Sequence, residues 1–452
     1  MNKKEKFNKT GEDRFANIHA LSHDGRGVAI ISNKTTFIAD ALPNEIVSYR
    51  IIRKHAHYDE AETIAIIQSS VERTSPPCSH FGICGGCSLQ HLSTATQLAL
   101  KQQTLLDQLK HIGRVVPKNI MPALSADTTG YRRKARLGVK FVIKKNKLLV
   151  GFREKSSRYL ADIEQCIILY PQVGRYLPEL RKLVASLEIY QSIPQIEVAV
   201  GDKDVALVFR HLTLLSSADK EKLLIFGEKY HFHIYLQPNP PAPIEKIWPQ
   251  DDKQYLTYTL PDQGIELLFH PLDFTQINLD ANRLMVHKAI ELLELNTDDT
   301  VLDLFCGIGN FTLPIARHVK HVTGIEGSLM MVERAQKNAI HNHIQNVDFY
   351  VANLEKPPGQ ATWLNKKYDK ILIDPPRVGA KEILMYCKQF LAKQLVYISC
   401  HSATLARDAE LLVHQLGYHL KRVGMINMFP HTSHIETIAV FEQPSKESHE
   451  RY

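Results

Sequence analysis

The chain of 452 residues contains no uninterrupted apolar run approaching roughly eighteen residues, so it offers no candidate for a membrane-spanning helix. Its first residues, MNKKEKFNKTGEDRFANIHA, lack the apolar centre of a secretory leader, and the cytoplasm is the expected compartment. Cysteine is sparse: seven residues, an odd number, read as metal ligands or catalytic thiols before they read as a disulfide framework. Repeats are absent. Acidic residues are nearly missing from one stretch, because positions 101–160 hold fifteen Lys and Arg against three Asp and Glu, a local +12 in a chain of net +7. A belt that basic suggests a phosphate-binding face, with an ordinary solvated surface as the alternative. Within it, YRRKARLGVKFVIKKNKLLVGFREKSSR interleaves cations with Tyr131, Phe141, Phe152 and Tyr159, a pattern suited to a hairpin that presents cations and rings on one face.

A chain this long divides into two or three domains. Residues 14–70 read as several short strands punctuated by turns, which fits a small β-barrel of the oligonucleotide-binding type. Thr74-Ser75-Pro76-Pro77 then breaks the chain, and residues 93–112 carry apolar positions at helical spacing. From 131 to about 260 strand and helix signals mix, with LPELRKLVASLE as a helix, IEVAVGDKDVALVFR as a hairpin, and the Pro-rich residues 238–243 as a loop. Beyond that, strand-like runs alternate with helical patterns: VLDLF, HVTGIE, VDFYVA, KILIDPP and LVYISC, closed by VGMINMF and ETIAVFE. The alternation predicts a doubly wound parallel sheet with ligands at the carboxyl ends of its strands.

Several motifs fall at those ends. Val301-Leu302-Asp303-Leu304-Phe305-Cys306-Gly307-Ile308-Gly309-Asn310 is a strand leading into a tight glycine turn, where backbone amides approach a ligand closely. The third glycine of the dinucleotide fingerprint is missing, Thr312 standing there, which argues against a dehydrogenase. Glu326 closes the next strand, where a carboxylate accepts hydrogen bonds from ribose hydroxyls. The pair looks like the first two motifs of an S-adenosylmethionine-dependent methyltransferase. Asp374-Pro375-Pro376-Arg377 forms a rigid acidic turn like those of enzymes that methylate exocyclic amines, although Arg377 replaces their aromatic residue.

Cys400 ends the run LVYIS at the point where a strand gives way to a helix-compatible stretch, His401 to Leu412. Amides at a helix start favour negative charge and are expected to lower a thiol pKa; the alternative is a buried core residue. An amine nucleophile would leave this cysteine unexplained, whereas methylation of uracil C5 demands a thiolate that adds to C6 and a base that removes the C5 proton. Glu436 precedes the last strand and is the candidate base, with His434 its rival. A separate metal signature lies in PPCSHFGICGGCSLQH, where Cys78, Cys84 and Cys87 wrap around glycines. Cys166 is the best fourth ligand, His80 and His91 being alternatives, and spacing leaves zinc and an iron-sulfur cluster equally open.

These residues together resemble the RNA uracil-5-methyltransferases nearly end to end, with Phe274, Gln276 and Asn278 matching the family's Phe-x-Gln-x-Asn motif. The resemblance implies a multi-domain α/β chain: a TRAM barrel of oligonucleotide-binding fold at 1–72, a central α+β iron-sulfur and RNA-binding domain at 73–265, and a Rossmann-like class I methyltransferase domain at 266–452. Helix 93–112 is expected against the last of these. It further implies a [4Fe-4S] cluster on Cys78, Cys84, Cys87 and Cys166, S-adenosylmethionine contacts from Gln276, Phe305, Asn310, Glu326, Asn353 and Asp374, Cys400 as nucleophile and Glu436 as proton acceptor. Possession of both barrel and cluster points to the branch acting on one uridine of 23S ribosomal RNA, with a dual-site ribosomal enzyme as the alternative, rather than transfer RNA, as a monomer without membrane contact. One departure stands out, because the family follows its cysteine with Asn-Pro and this chain has His401-Ser402.

Overall fold

The computed structural model describes residues 14–239, 243–356 and 359–444. The start of the expected first domain, residues 1–13, and part of the Pro-rich loop, residues 240–242, lie outside the described residues. The chain forms two compact units, one of residues up to 104 together with 431–434, the other of 105–430 together with 435 onward.

In the first unit six strands make one sheet in the order Arg14–Asn17, Ile46–Lys54, Tyr58–Gln68, Lys34–Ala39, Gly27–Ile31, Ala20–Leu21. Side chains alternate across it, so that Ala16, Ala29, Ile38, Val47, Tyr49 and Ala61 meet in a small core. Glu45 is buried and closes the end of the sheet, its carboxylate accepting from Arg73 Nε at 2.6 Å and from the Leu42 amide at 2.8 Å. The Cys78–Cys87 segment follows as a tight wrap, with Gly82 at φ +88°. Segment 431–434 is clamped just after it. The Ser88 and Leu89 amides donate to His431 O at 2.9 and 3.0 Å, the His431 amide donates to Gln97 Oε1 at 2.9 Å, and the Ser433 amide to Ser88 Oγ at 3.1 Å.

The second unit holds two large sheets. A six-stranded sheet runs in the order Glu245–Trp248, His233–Gln237, Val205–Arg210, Gln195–Val200, Lys134–Val142, Lys147–Gly151, with helices Leu177–Ser186 and Ser217–Tyr230. The expected hairpin about Gly201-Asp202 is its Gln195–Val200 and Val205–Arg210 pair.

The eight-stranded sheet has the order Val347–Val351, His321–Glu326, Thr300–Leu304, Lys370–Ile373, Gln394–Ser399, Glu436–Glu442, His419–Ile426, Asn119–Ile120. Its central strands are near-continuous apolar runs because both faces are covered; every residue of Gln394–Ser399 is buried. The first five are parallel, and Glu436–Glu442 inserts antiparallel. Strand order reverses between Thr300–Leu304 and Lys370–Ile373, where an open α/β sheet leaves its ligand crevice. Asn119–Ile120 adds a short parallel edge strand from well before residue 266. Helix Thr94–His111 matches the expected 93–112 within two residues, and Gly113 after it lies so close to Ala406 O that a Cβ would sit 2.6 Å away.

Candidate active site

Register brings the predicted residues to one edge of the eight-stranded sheet. Glu326 ends its strand, Asp374 follows Ile373, and Cys400 follows Ser399. The last strand is antiparallel, so its first residue, Glu436, reaches that same edge. Ser399 pairs with Thr437, which sets Cys400 directly opposite Glu436, and Glu436 pairs on its other side with Ile426.

The glycine turn is strained where it meets the ligand crevice. Phe305 has φ +66°, an unfavourable conformation for a side chain with a Cβ, and such strain marks functional turns. Gly307 at φ +58° and Gly309 at φ +93° complete the turn without that cost. The Gly307 amide donates to Glu326 Oε2 at 3.2 Å and the Ser328 amide to Oε1 at 3.0 Å, so the carboxylate is fixed across the turn. Asn310 is committed to the scaffold: its Oδ1 accepts from Tyr258 Oη and Asn282 Nδ2, both at 2.9 Å, and its Nδ2 donates to Asn282 Oδ1 at 3.0 Å. Gln276 is partly exposed and Asn353 exposed, the latter accepting from the Glu355 amide at 2.9 Å.

The roles of two residues escaped the sequence reading. Asn278 is buried and caps helix Leu279–Leu293, its Oδ1 accepting from the Ala281 amide at 3.1 Å, which gives the motif asparagine a folding role. Asp303 is fully buried in strand Thr300–Leu304, where burial outweighs the 2.5 Å bond from Thr312 Oγ1 and pushes its pKa up to about 7. A lone acid inside the apolar run VLDLF was the available signal. Its folded pKa lies above the ordinary 3.8, so protonated Asp303 stabilises the fold below pH 4 and that contribution is lost as pH rises through 7. Asp303→Asn should therefore flatten the fall in denaturant stability between pH 5 and pH 8.5, by roughly 3 kcal/mol at most, nearly all of it below pH 7. An unchanged slope would show that Asp303 ionises freely.

The expectation of a lowered thiol pKa at Cys400 is overturned. Partial burial, with the carboxyl groups of Glu436 and Asp374 nearby, pushes it up to about 11, while Arg377 opposes the rise. Helix amides give little help because helix Ser402–Glu410 starts two residues later and its first turn is already capped. Glu436, 2 % exposed, is raised well above the ordinary carboxylate range by burial and by Asp374, again opposed by Arg377. Asp374 is pushed up to about 7 by the protein packed around it. The edge is thus a proton-retaining cluster in which the thiol gives up its proton only to a strong neighbouring base.

The missing Asn-Pro is replaced by a different device. His401 is the N-cap of helix Ser402–Glu410, its Nδ1 accepting from the Thr404 amide at 3.3 Å and its carbonyl from Thr404 Oγ1 at 2.8 Å. Ser399 Oγ accepts from the His401 amide at 3.1 Å, bracing the turn from the strand side. Asp408 then ties the helix to the Asp374 turn, its carboxylate accepting from the Ala380 amide at 2.7 Å and Tyr397 Oη at 2.6 Å. His434 is exposed and belongs to the 431–434 segment of the other unit.

Among the cysteines of the metal signature, the Gly86 amide donates to Cys84 Sγ at 3.5 Å and the Cys78 amide to Gln90 Oε1 at 3.1 Å. Cys166 is partly exposed in the second unit, its amide donating to Gly174 O at 3.1 Å. Among the described residues no group of three or more His, Cys, Asp or Glu is placed to hold a metal ion.

The model of the tRNA (uracil-5-)-methyltransferase family matches residues 97–356 and 361–443. The chain belongs to this family. Family members named 23S rRNA (uracil(1939)-C(5))-methyltransferase RlmD include one from Francisella tularensis subsp. holarctica, 49 % identical over 449 residues that cover 98 % of this chain and all of that protein. Another, from Alcanivorax borkumensis, is 48 % identical over 431 residues, 95 % of this chain and 97 % of the relative. The fold is that of the crystal structure of Pyrococcus abyssi tRNA (uracil-54, C5)-methyltransferase in complex with S-adenosyl-L-homocysteine, with a TM-score of 0.74 at 23 % identity over 95 % of this chain and all of that one.

Proposed function

We propose that the chain transfers a methyl group from S-adenosylmethionine to C5 of a uridine in 23S ribosomal RNA. The observation that carries the reading is the nearness of Cys400 and Glu436, each one residue beyond the Ser399–Thr437 pair on the ligand edge of a methyltransferase sheet, in a chain nearly half identical to RlmD proteins throughout its length. The Cys400 thiolate adds to uracil C6, and the resulting C5 carbanion-enolate attacks the sulfonium methyl, leaving S-adenosylhomocysteine. Glu436 then takes the C5 proton; the C5–C6 double bond re-forms and the thiolate leaves. Gln276, Phe305, Asn310, Glu326, Asn353 and Asp374 line the cofactor's place, Glu326 facing the ribose hydroxyls. The target base reaches Cys400 by leaving its stack.

The N-terminal sheet, within residues 1–72, is a TRAM barrel that grips RNA, as does the basic part of the central domain, 73–265, and the catalytic domain is 266–452. A [4Fe-4S] cluster is held by Cys78, Cys84, Cys87 and Cys166 and braces the RNA-binding portion; the amide that Gly86 offers to Cys84 Sγ suits a thiolate ligand. The enzyme acts as a monomer in the cytoplasm. No helix among the described residues is long and apolar enough to cross a membrane.

Incubation with S-adenosylmethionine and an unmodified 23S transcript should yield 5-methyluridine at one position, found by nuclease mapping; methylation of transfer RNA alone would refute the ribosomal assignment. Anaerobically purified protein should contain four iron and four sulfide per chain, about the stoichiometry of one cubane. Stoichiometric zinc without sulfide would replace the cluster in this reading.

A further inference from the structure

The basic belt contains a built groove that catalysis at Cys400 does not use. It has a volume of about 940 Å³ and is lined by Arg136, Lys140, Lys145, Arg153 and Arg158, with Glu154 its one acidic residue. Period-two alternation puts Arg136, Gly138 and Lys140 on one face of strand Lys134–Val142, while Ala135, Leu137 and Val139 are buried on the other. The opposite wall is an arm, residues 152–160, folded back on itself through the Arg153–Leu160 bridge and the Glu154 amide bond to Tyr159 O at 2.9 Å. Gly138 makes the approach possible, since a Cβ there would lie 2.8 Å from Leu160 Cδ2.

The groove's cations and its tyrosine face solvent. All five cations are exposed, and Tyr159 is 62 % exposed with the Arg158 guanidinium 5.6 Å from its ring centre. Exposed cations flanking an exposed ring suit a single-stranded nucleic acid, whose phosphates pair with the cations while a base stacks on the ring. The groove extends away from the Phe-x-Gln-x-Asn segment. The start of its strand is tied to the Phe-x-Gln-x-Asn segment, the Arg133 amide donating to Ile277 O at 2.8 Å. At about 3.3 Å per residue, Lys140 lies roughly 23 Å further along from Arg133.

We propose that this groove is a second RNA subsite that holds single-stranded nucleotides flanking the target loop, setting which uridine reaches Cys400. The inference rests on the RNA substrate of the proposed function and locates a specificity element for it. The variant R153A/R158A removes two exposed cations, and Y159A removes the ring with Y159F as its conservative control. Each full-length protein is assayed with S-adenosylmethionine on two RNAs, a minimal hairpin holding the target uridine and a longer 23S fragment with its flanking single strands.

On the long fragment R153A/R158A should raise KM without changing kcat, and the slope of log affinity against log salt should fall by about 1.4, two phosphate contacts' worth. Y159A should weaken long-fragment binding by roughly 5- to 150-fold, with Y159F near wild type. On the hairpin all variants should match wild type. Equal affinity and salt slope for wild type and R153A/R158A on the long fragment would overturn the subsite. Were the unaltered protein to methylate neither RNA yet bind the long one through this arginine pair, the proposed reaction would fall and the subsite would stand.

Discussion

Cys400→Ala should abolish methyl transfer, lowering kcat by on the order of 10⁴-fold or more, because no other thiol at this edge can replace the lost nucleophile. Cys306 is the nearest in sequence motif, but it is 3 % exposed and burial beside Asp303 and Glu326 raises its pKa well above the ordinary thiol value. The variant should still bind S-adenosylmethionine, since Glu326 and the glycine turn are held by contacts of their own. Two measurements separate this from misfolding. Calorimetric cofactor binding should persist, and the denaturation-stable adduct formed by unaltered enzyme on RNA containing 5-fluorouridine should vanish. Retained adduct formation by Cys400→Ala would refute the nucleophile assignment.

Glu436→Gln should do something different: stop the reaction after methyl transfer. Glutamine keeps the size of the side chain in its buried place at the start of the last strand but cannot accept the C5 proton. Turnover should fall roughly 10²- to 10⁴-fold, the usual contribution of a positioned base. The methylated RNA should remain covalently attached and migrate with protein on a denaturing gel. Normal release of 5-methyluridine would transfer the proton-accepting role to His434 or another group.

The strands of the catalytic sheet were readable because each is an apolar run covered on both faces, and the glycine turn with Glu326 was readable because backbone approach to a ligand demands those residue types. Helix Thr94–His111 and the hairpin at Gly201 were likewise local signals. What sequence could not provide was the neighbourhood. Glu436 stands next to Cys400 only because the final strand inserts antiparallel between Gln394–Ser399 and His419–Ile426. The raised thiol pKa was hidden for the same reason, since it comes first from burial of the sulfur and then from Glu436 and Asp374, which arrive on separate strands. His401 could be read as a departure from Asn-Pro, but its ring as a helix cap becomes visible only when Thr404 is placed. The dipeptide Asn119–Ile120 carries too little pattern to announce an edge strand.

The four residues 431–434 have a consequence for how this chain can be shortened or rearranged. They leave the methyltransferase core just before Glu436, lodge against Ser88 and Gln97, and return at Ile435. Deleting the N-terminal portion up to residue 104 would remove the Ser88, Leu89 and Gln97 partners of that detour and loosen the loop attached to the proposed base. The segment ahead of Glu436 therefore depends on residues 88–97, and a truncation of this chain must keep them if the proposed base is to hold its place.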